Sequence, residues 1–211
     1  MPAPENIITR TRHQARAERA RATRARIVEA AAPLFVREGY LDTTMAGIAR
    51  AAGVAVQTLY LSFGSKAAVL EAALGAAADD APIECIEHLG SEPDGRAALL
   101  RYAAVTTRAI ERQHALDAVL RAAAADPEPA ELLDRMRRAA LAVHARAVDE
   151  LAEKPGFTTQ ISVQRATEIV GALLSPEAYG LLVVTSGWPA ADWTEWTSRH
   201  IAADLFPGDP A

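Results

Sequence analysis

Two polar residues, Gln57 and Thr58, stand near the start of a short segment, about Val56–Ser62, whose spacing predicts a helix. A glutamine amide can make a bidentate contact with adenine, and a threonine methyl group can contact that of a thymine. Such contacts require the start of the helix to lie in the major groove of DNA. We assign Val56, Gln57 and Thr58 to a base-reading set.

A second short helix and a turn precede this segment and would hold it in place. Thr43 or Thr44 can cap that helix, and Gly53 tolerates the positive φ that a sharp turn between helices needs. The predicted inward-facing residues are Met45, Ile48, Ala49 and Leu59. Together these signals predict a helix-turn-helix within residues 39–70, a geometry that many helical proteins also contain by chance.

The residues after the second helix predict where it ends. Phe63 and Gly64 close it, and Ser65 can cap a longer helix that begins at Lys66 and reaches about residue 80. The amide groups at the start of such a helix favour an anion.

The residue types at these positions resemble a known DNA-binding domain. TT followed by IA, AGV, TLY, F and SK, within about Ile27–Leu74, is similar to the TetR family of bacterial transcriptional regulators. The resemblance implies an all-α homodimer with an N-terminal three-helix, helix-turn-helix DNA-binding domain and a C-terminal helical ligand-binding and dimerisation domain. It also implies phosphate contacts from Thr44, Tyr60, Ser62 and Lys66. For Tyr60, packing of the ring in the core is the alternative.

Departures from the family pattern bear on base recognition. Ala55 stands where the family usually has a capping serine, so a cap worth about 0.5–2 kcal/mol is missing. Val56 and Ala46 replace residues that are often polar base readers in relatives. We therefore expect recognition to depend on few base contacts, on an arginine arm and on DNA shape.

Basic residues concentrate at the N-terminus. Residues 1–66 carry ten Lys/Arg against five Asp/Glu, and the totals of 22 and 27 leave 12 against 22 for the remainder. This asymmetry favours a nucleic-acid-facing domain joined to one that avoids phosphate. Residues 1–16 lack apolar periodicity, which predicts a flexible basic arm whose Arg10, Arg12 and Arg16 contact DNA. A solvated basic tail is the alternative.

Composition argues against several other classes of protein. No run of eighteen apolar residues occurs, and no apolar segment follows the arginine-rich N-terminus, so we expect neither a membrane span nor a secretory signal. A single cysteine, Cys85, excludes an intrachain disulfide and a cysteine-rich metal site. We predict a cytoplasmic protein without a metal or cofactor.

Motifs of enzymes are missing from the sequence. It has no Gly-rich phosphate loop, HExxH or GxSxG, and His114 and His144 lack local partners. We interpret both histidines as surface or core residues. An all-α enzyme whose site forms from distant residues is the remaining alternative.

Helix signals divide the chain into four parts. They are the arm (1–16), the helix-turn-helix domain (17–66), a connecting helix and linker (67–94), and the helical ligand-binding and dimerisation domain (95–206). In the last part Asp94 can cap a helix, a shorter one is expected over Leu116–Ala124, and Asp126-Pro127-Glu128 is a strong start signal. The predicted inner face of the helix it opens comprises Leu133, Met136, Ala140, Val143 and Ala147.

A ligand pocket is predicted where a polar residue interrupts an apolar face. Thr106 lies among apolar residues of its helix, and we place Tyr102, Met136 and Val143 in the same cavity. The alternative is that Thr106 bonds to the backbone of its own helix.

The last third of the chain carries more large apolar residues than a small domain would be expected to bury by itself. Two tryptophans lie close to the C-terminus, and the resemblance implies that the last two long helices form a four-helix bundle with those of a second copy. The predicted dimer interface comprises Leu173, Leu174, Trp193, Trp196 and Ile201. An intramolecular core is the alternative. His200, on the same helix, is interpreted as an interface histidine rather than a ligand or base.

The most specific hypothesis is a repressor that binds a palindromic double-stranded DNA operator as a homodimer. A small-molecule inducer would release it. A ligand-independent DNA-binding regulator or architectural protein is the main alternative, and an activator with the same fold is another.

Overall fold

The computed structural model describes the backbone of residues 4–208 and the side chains of residues 16–208. Every regular element in that part of the chain is helical, which confirms the predicted all-α fold. The chain forms two compact units, the first ending at Ala76 and the second beginning at Ala77. The helices are α1 (Pro4–Asp42), α2 (Met45–Ala51), α3 (Val56–Phe63), α4 (Lys66–Ala77), α5 (Ala81–Leu89), α6 (Gly95–Ala122), α7 (Pro127–Ala152), α8 (Val163–Leu173), α9 (Pro176–Tyr179) and α10 (Ala190–Leu205). A π-helical segment, Gly180–Thr185, connects directly to α9.

Helix α1 supplies much of the core of the first unit. Ile27, Ala31 and Phe35 recur every four residues, so they share one face, and all three are fully buried. Regular helix geometry is interrupted at Gly39, whose φ of 76° lies in the left-handed region that glycine adopts without strain. The regular part of α1 that carries this face therefore ends at Gly39.

The backbone of the predicted arm belongs to α1, because that helix begins at Pro4. Alanine and arginine favour helix by their intrinsic propensity, so no apolar stripe is required. Arg16 is exposed. Residues 1–3 and the side chains of Arg10 and Arg12 lie outside the described residues, and the DNA contacts of the arm stay a prediction.

The segment after α4 corrects the predicted linker. Residues 81–89 form α5, with Pro82 in the first turn, where a proline lacks no required hydrogen bond. Cys85, Ile86 and Leu89 are buried, and the helix packs against α6 and α7. The prolines obscured an amphipathic helix, and only residues 90–94 connect it to α6.

Helix α6 corrects a second prediction, since it is one helix to Ala122 rather than two. Asp94 caps it as expected, because Oδ1 accepts hydrogen bonds from the backbone N–H groups of Arg96 (2.9 Å) and Ala97 (3.2 Å). The buried stripe continues through Ile110, Asp117 and Leu120 at helical spacing. A polar stretch before residue 116 is the solvated side of that helix rather than a break.

Helix α7 starts at Pro127 as predicted but turns a different face inward. Its buried residues are Pro129, Leu132, His144, Ala147, Val148 and Leu151. Ala140 is exposed, and Leu133, Met136 and Val143 are only half-buried. The expected stripe was therefore correct at Ala147 and in part at Val143, which packs against the core, and wrong at the other positions.

The core of the second unit is built from α5, α6, α7, α8 and α10. Ser162 and Ser175 cap α8 and α9, each accepting a 3.1 Å hydrogen bond from a backbone N–H. Phe206, just beyond α10, packs edge-to-face on Phe157, with ring centroids 5.7 Å apart. Its ring also lies against Gly95, where a Cβ atom would be 2.4 Å from Cε1 of Phe206.

We predict that Gly95→Ala lowers the free energy of unfolding by about 1–3 kcal/mol, because the added methyl group overlaps the Phe206 ring. Gly75→Ala is the matched control. A Cβ at Gly75, inside α4, would meet no atom within 4 Å, so alanine there should stabilise the helix by about 0.5–1 kcal/mol. Denaturant unfolding of both variants measures the difference. Equal effects would contradict the packing at Gly95.

Candidate nucleic-acid interface and second-unit cavity

The base-reading set lies at the start of α3, as predicted. Leu59 is fully buried and anchors the helix on the first unit, whereas Gln57 is exposed and Val56 is 39% exposed. Thr58 is half-buried between these two sides. Ala55 makes no side-chain cap, as its residue type predicts. The amide of Gln57 is thus available to an edge of a base pair.

The turn before α3 is held as the sequence predicts. Thr44 rather than Thr43 caps α2, since its Oγ1 accepts a 3.0 Å hydrogen bond from the backbone N–H of Gly47. Gly53 has a φ of 63°. Met45, Ile48 and Ala49 face the core.

Of the residues matched to phosphate-contacting positions, Tyr60 and Thr44 are exposed. Tyr60 is 51% exposed, so the alternative of core packing for its ring is wrong. Ser62 is half-buried, and its Oγ donates to the carbonyl of Thr58 at 2.8 Å. Thr44 is exposed while its hydroxyl serves as the cap. The Thr44 hydroxyl accepts in its cap and keeps its O–H to donate to phosphate, whereas the O–H of Ser62 is already donated to the Thr58 carbonyl.

Lys66 has a structural role that the sequence did not predict. Its Nζ donates hydrogen bonds to the backbone carbonyls of Tyr40 (2.5 Å), Leu41 (3.2 Å) and Thr43 (2.9 Å). It also lies 4.3 Å from the centroid of the Tyr40 ring. An ammonium group has three donors, and here all three bind the chain. The assignment of Lys66 as a phosphate contact is therefore corrected: it joins the start of α4 to the end of α1.

Two arginines of α1 also donate hydrogen bonds to backbone carbonyls. The sequence analysis included them only in the positive charge of the N-terminal region. Arg26 Nη2 donates to the carbonyls of Ala52 (2.8 Å) and Gly53 (3.2 Å), in the turn between α2 and α3. Arg24 Nη1 donates to the carbonyl of Ser62 at 2.5 Å, and its guanidinium lies 3.9 Å from the centroid of Phe63. Arg24 is exposed but precedes Ile27 by three residues, so it lies on the same side of α1 as the buried stripe, a signal that could have identified it.

The second unit contains a cavity of about 480 Å³ between α6, α7 and the segment from α8 to α9. Its lining residues are Gln113, Asp117, Arg121, Leu133, Met136, Arg137, Ala140, Leu141, His144, Gly171, Ala172, Leu174, Ser175, Pro176 and Glu177. A cavity of this volume can bind a drug-sized molecule. The half-buried and exposed face of α7 forms one of its walls.

Only Met136 of the four predicted pocket residues lines this cavity. Tyr102 is fully buried behind it and shares a 2.8 Å hydrogen bond, from Oη to Nδ1, with the cavity residue His144. Val143 packs against the core. Thr106 is buried, and its hydroxyl makes no hydrogen bond to the helix backbone, so the alternative proposed for it is wrong as well.

Burial controls the protonation of the Tyr102–His144 pair. It lowers the pKa of His144 to about 4, with the backbone of Leu174 partly opposing the shift, and it raises the pKa of Tyr102. Both groups are therefore uncharged at neutral pH, and His144 brings no positive charge to the cavity wall.

The predicted dimer residues divide into two groups. Leu174, Trp193 and Ile201 are 0–1% exposed and pack inside their own chain, so they are corrected to intramolecular core. Trp193, for example, stacks edge-to-face on Tyr179, with centroids 5.2 Å apart. Leu173 and Trp196 remain half-buried.

Exposed apolar residues follow instead along the π-helical segment, where Leu181 is 61% and Val184 58% exposed. By length and composition alone, Val163–Thr185 is the one stretch of the described residues that could cross a membrane, and only 22% of its most apolar window is buried. Ser175 and Pro176 break the stretch into separate helices. The sequence analysis looked for an uninterrupted run of apolar residues and therefore did not identify this segment.

Helices α2 and α3, joined by the turn at Gly53, form a helix-turn-helix whose second helix is exposed at its start. Residues 27–73 match the sequence model of the bacterial regulatory proteins of the tetR family. This match confirms the resemblance that the sequence predicted for residues 27–73. The family is one of regulatory proteins rather than of enzymes.

Individual relatives agree with that assignment. The chain is 38% identical over 76 residues both to an uncharacterized HTH-type transcriptional regulator, TtgW, of Pseudomonas putida and to the HTH-type transcriptional regulator SrpR of the same species. The match covers 36% of this chain, 57% of TtgW and 36% of SrpR, less than two thirds of either relative. The structure of NalD, the secondary repressor of the MexAB-OprM multidrug efflux pump in Pseudomonas aeruginosa, shares the fold. Its TM-score is 0.69 at 19% identity, over 91% of this chain and all of NalD.

We predict that Lys66→Met lowers the free energy of unfolding by about 1.5–3 kcal/mol, because it removes hydrogen bonds from a charged donor to three backbone carbonyls. Arg19→Met, at an exposed position on α1, is the control and should change stability by less than about 0.5 kcal/mol. Thermal and denaturant unfolding measure both. If Lys66→Met left stability unchanged and only reduced the salt dependence of DNA binding, Lys66 would be a phosphate contact rather than a structural residue.

Proposed function

We propose that this protein is a transcriptional regulator, a repressor that binds a palindromic DNA operator as a homodimer and is released by a small molecule. The observation that carries the proposal is the exposed start of α3, where Gln57 projects from a helix anchored by buried Leu59. A regulator of this kind acts on the chromosome, which places it in the cytoplasm.

Contacts to DNA would combine one base-reading helix with a set of backbone contacts. Gln57 supplies the polar base contact, with Val56 and Thr58 beside it. Tyr60 and Thr44 donate to phosphate, and Ser62 does so by turning its hydroxyl away from the Thr58 carbonyl. The exposed arginines of α1, Arg16 among them, extend the positive surface. Arg10 and Arg12 complete the arm in this proposal and add a contact in the minor groove.

Dimerisation through the last helices would place two reading helices on one face of DNA, about 34–36 Å apart or a multiple of that distance. Exposed Leu181 and Val184 support this surface. Trp196 and Trp188, whose rings stack edge-to-face with centroids 5.8 Å apart, are half-buried and lie next along the chain. Covering these side chains removes apolar area from water, which favours association.

The cavity supports ligand control over a ligand-independent regulator. A regulator without a ligand would be expected to fill this region with side chains, whereas about 480 Å³ is open here. In the proposed mechanism the ligand binds more tightly to a conformation whose paired reading helices no longer match successive major grooves. A coupling free energy of about 1–3 kcal/mol between the two sites is typical.

We predict that Gln57→Ala reduces discrimination between the operator and single-base variants by about 1–3 kcal/mol, because it removes a bidentate base contact. The operator is obtained first by selection from random duplexes. Arg16→Ala is the matched control for a phosphate contact: it should weaken binding to all sequences and reduce the salt slope by about one. Titrations with labelled duplexes measure both. An equal loss on operator and random DNA in Gln57→Ala would exclude base reading.

A second prediction concerns the dimer. Leu181→Glu places a charge in the proposed interface and should produce a monomer with reduced operator affinity, since one monomer binds only a half-site. Leu100→Glu, at an exposed leucine of α6, is the control and should leave the dimer intact. Light scattering at micromolar concentration reports the mass. A monomeric unmodified protein, or a dimeric Leu181→Glu variant, would contradict the proposed surface.

A further inference from the structure

The cavity wall contains a carboxyl group without a bonding partner. Asp117 lies on α6, is 8% exposed, and lines the cavity. No described residue donates a hydrogen bond to it or forms an ion pair with it at bonding distance. Buried carboxylates are normally paired, because removing a charge from water is unfavourable. An unpaired one that faces an open cavity indicates that its partner arrives from outside.

Of the two arginines that line the cavity, one is already hydrogen-bonded to another acid. Arg137 of α7 donates two hydrogen bonds to Oε1 of Glu177, from Nε at 3.1 Å and from Nη2 at 2.8 Å. Arg121, one turn beyond Asp117 on α6, attracts both Asp117 and Glu177. An anionic ligand would approach two carboxyl groups here, whereas a cationic ligand would pair with the carboxyl group that lacks a hydrogen bond.

The rest of the wall suits an apolar molecule. Leu133, Met136, Leu141 and Leu174 line the space beside Asp117. His144 is hydrogen-bonded to Tyr102 and uncharged at neutral pH, so it does not repel a cation. The cavity therefore combines an apolar surface with one unpaired acid.

We propose that the regulatory ligand of this cavity is an apolar cation, such as a quaternary or protonated amine, whose positive charge pairs with Asp117. The inference rests on the proposed function, since it names the class of inducer that the cavity binds. It predicts weaker binding of acyl and other anionic ligands at this site.

The pairing gives ligand binding a definite pH dependence. Burial raises the pKa of Asp117 to about 6; Arg121 opposes this shift, Glu177 reinforces it, and His114 opposes it weakly. Arg137 and His144 are the remaining titratable or charged groups that line the cavity. A ligand of fixed charge should therefore bind weakly below pH 6 and tightly above it, because only the ionised carboxylate attracts the cation.

Tetraphenylphosphonium and tetraphenylborate test this assignment, since they have nearly the same shape, opposite fixed charges and no titratable group. Calorimetric titration of the full-length protein should show binding of the phosphonium and weaker binding of the borate. Phosphonium affinity should rise about tenfold between pH 5 and 7, as an opposite charge shifts a carboxyl pKa by about one unit or more. Asp117→Asn should lower affinity at pH 7 by about the same factor and remove the pH dependence.

Asp134→Asn, on the exposed side of α7 and outside the cavity lining, is the matched control and should bind the phosphonium as the unmodified protein does. Tighter binding of the borate, or equal phosphonium binding by Asp117→Asn, would overturn the inference. Since calorimetry uses no DNA, this outcome is separate from the proposed function. If the unmodified protein bound no operator, the proposed function would be refuted. The phosphonium result would still decide the ligand class.

Discussion

The carbonyl groups at the ends of α1, α2 and α3 impose the constraint on which the DNA-binding unit depends. The last carbonyls of a helix have no partner within it and carry the negative end of the helix dipole. Lys66 binds those at the end of α1, Arg26 those in the turn after α2, and Arg24 one at the end of α3. Three cations thereby fix the helices that position Gln57.

This use of charge changes the meaning of the basic N-terminal region. Ten Lys/Arg within residues 1–66 suggested a surface for phosphate, yet at least three of them bind backbone carbonyls of their own chain. The surface left for DNA is consequently smaller than the net charge implies. Tyr60, which carries no charge, is among its more exposed members.

Local signals were predictable from sequence, whereas partners distant in the chain were not. Thr44, Ser65 and Asp94 act as caps because that chemistry involves residues two or three positions away. The hydrogen bonds from Lys66 reach back more than twenty residues, and no periodicity encodes them. The apolar character of Trp193 was equally clear, but only the fold decides that Tyr179, rather than a second chain, covers it. The sequence predicted a pocket but gave only Met136 of its lining correctly, since the cavity walls come from three separate segments.

The π-helical segment follows directly from the cavity wall. Pro176 and Glu177 line the cavity, and Leu181 and Val184 are exposed only a few residues later. The wider turn of the π-helical segment is closed by a 3.0 Å hydrogen bond from Ser186 N–H to the Leu181 carbonyl. Such segments are short departures from the more stable α-helix. In a dimer built on this surface, a conformational change of the π-helical segment in one subunit would alter the contacts of the same segment in the other subunit. The two cavities would then fill cooperatively, with the affinity of the second set by occupancy of the first.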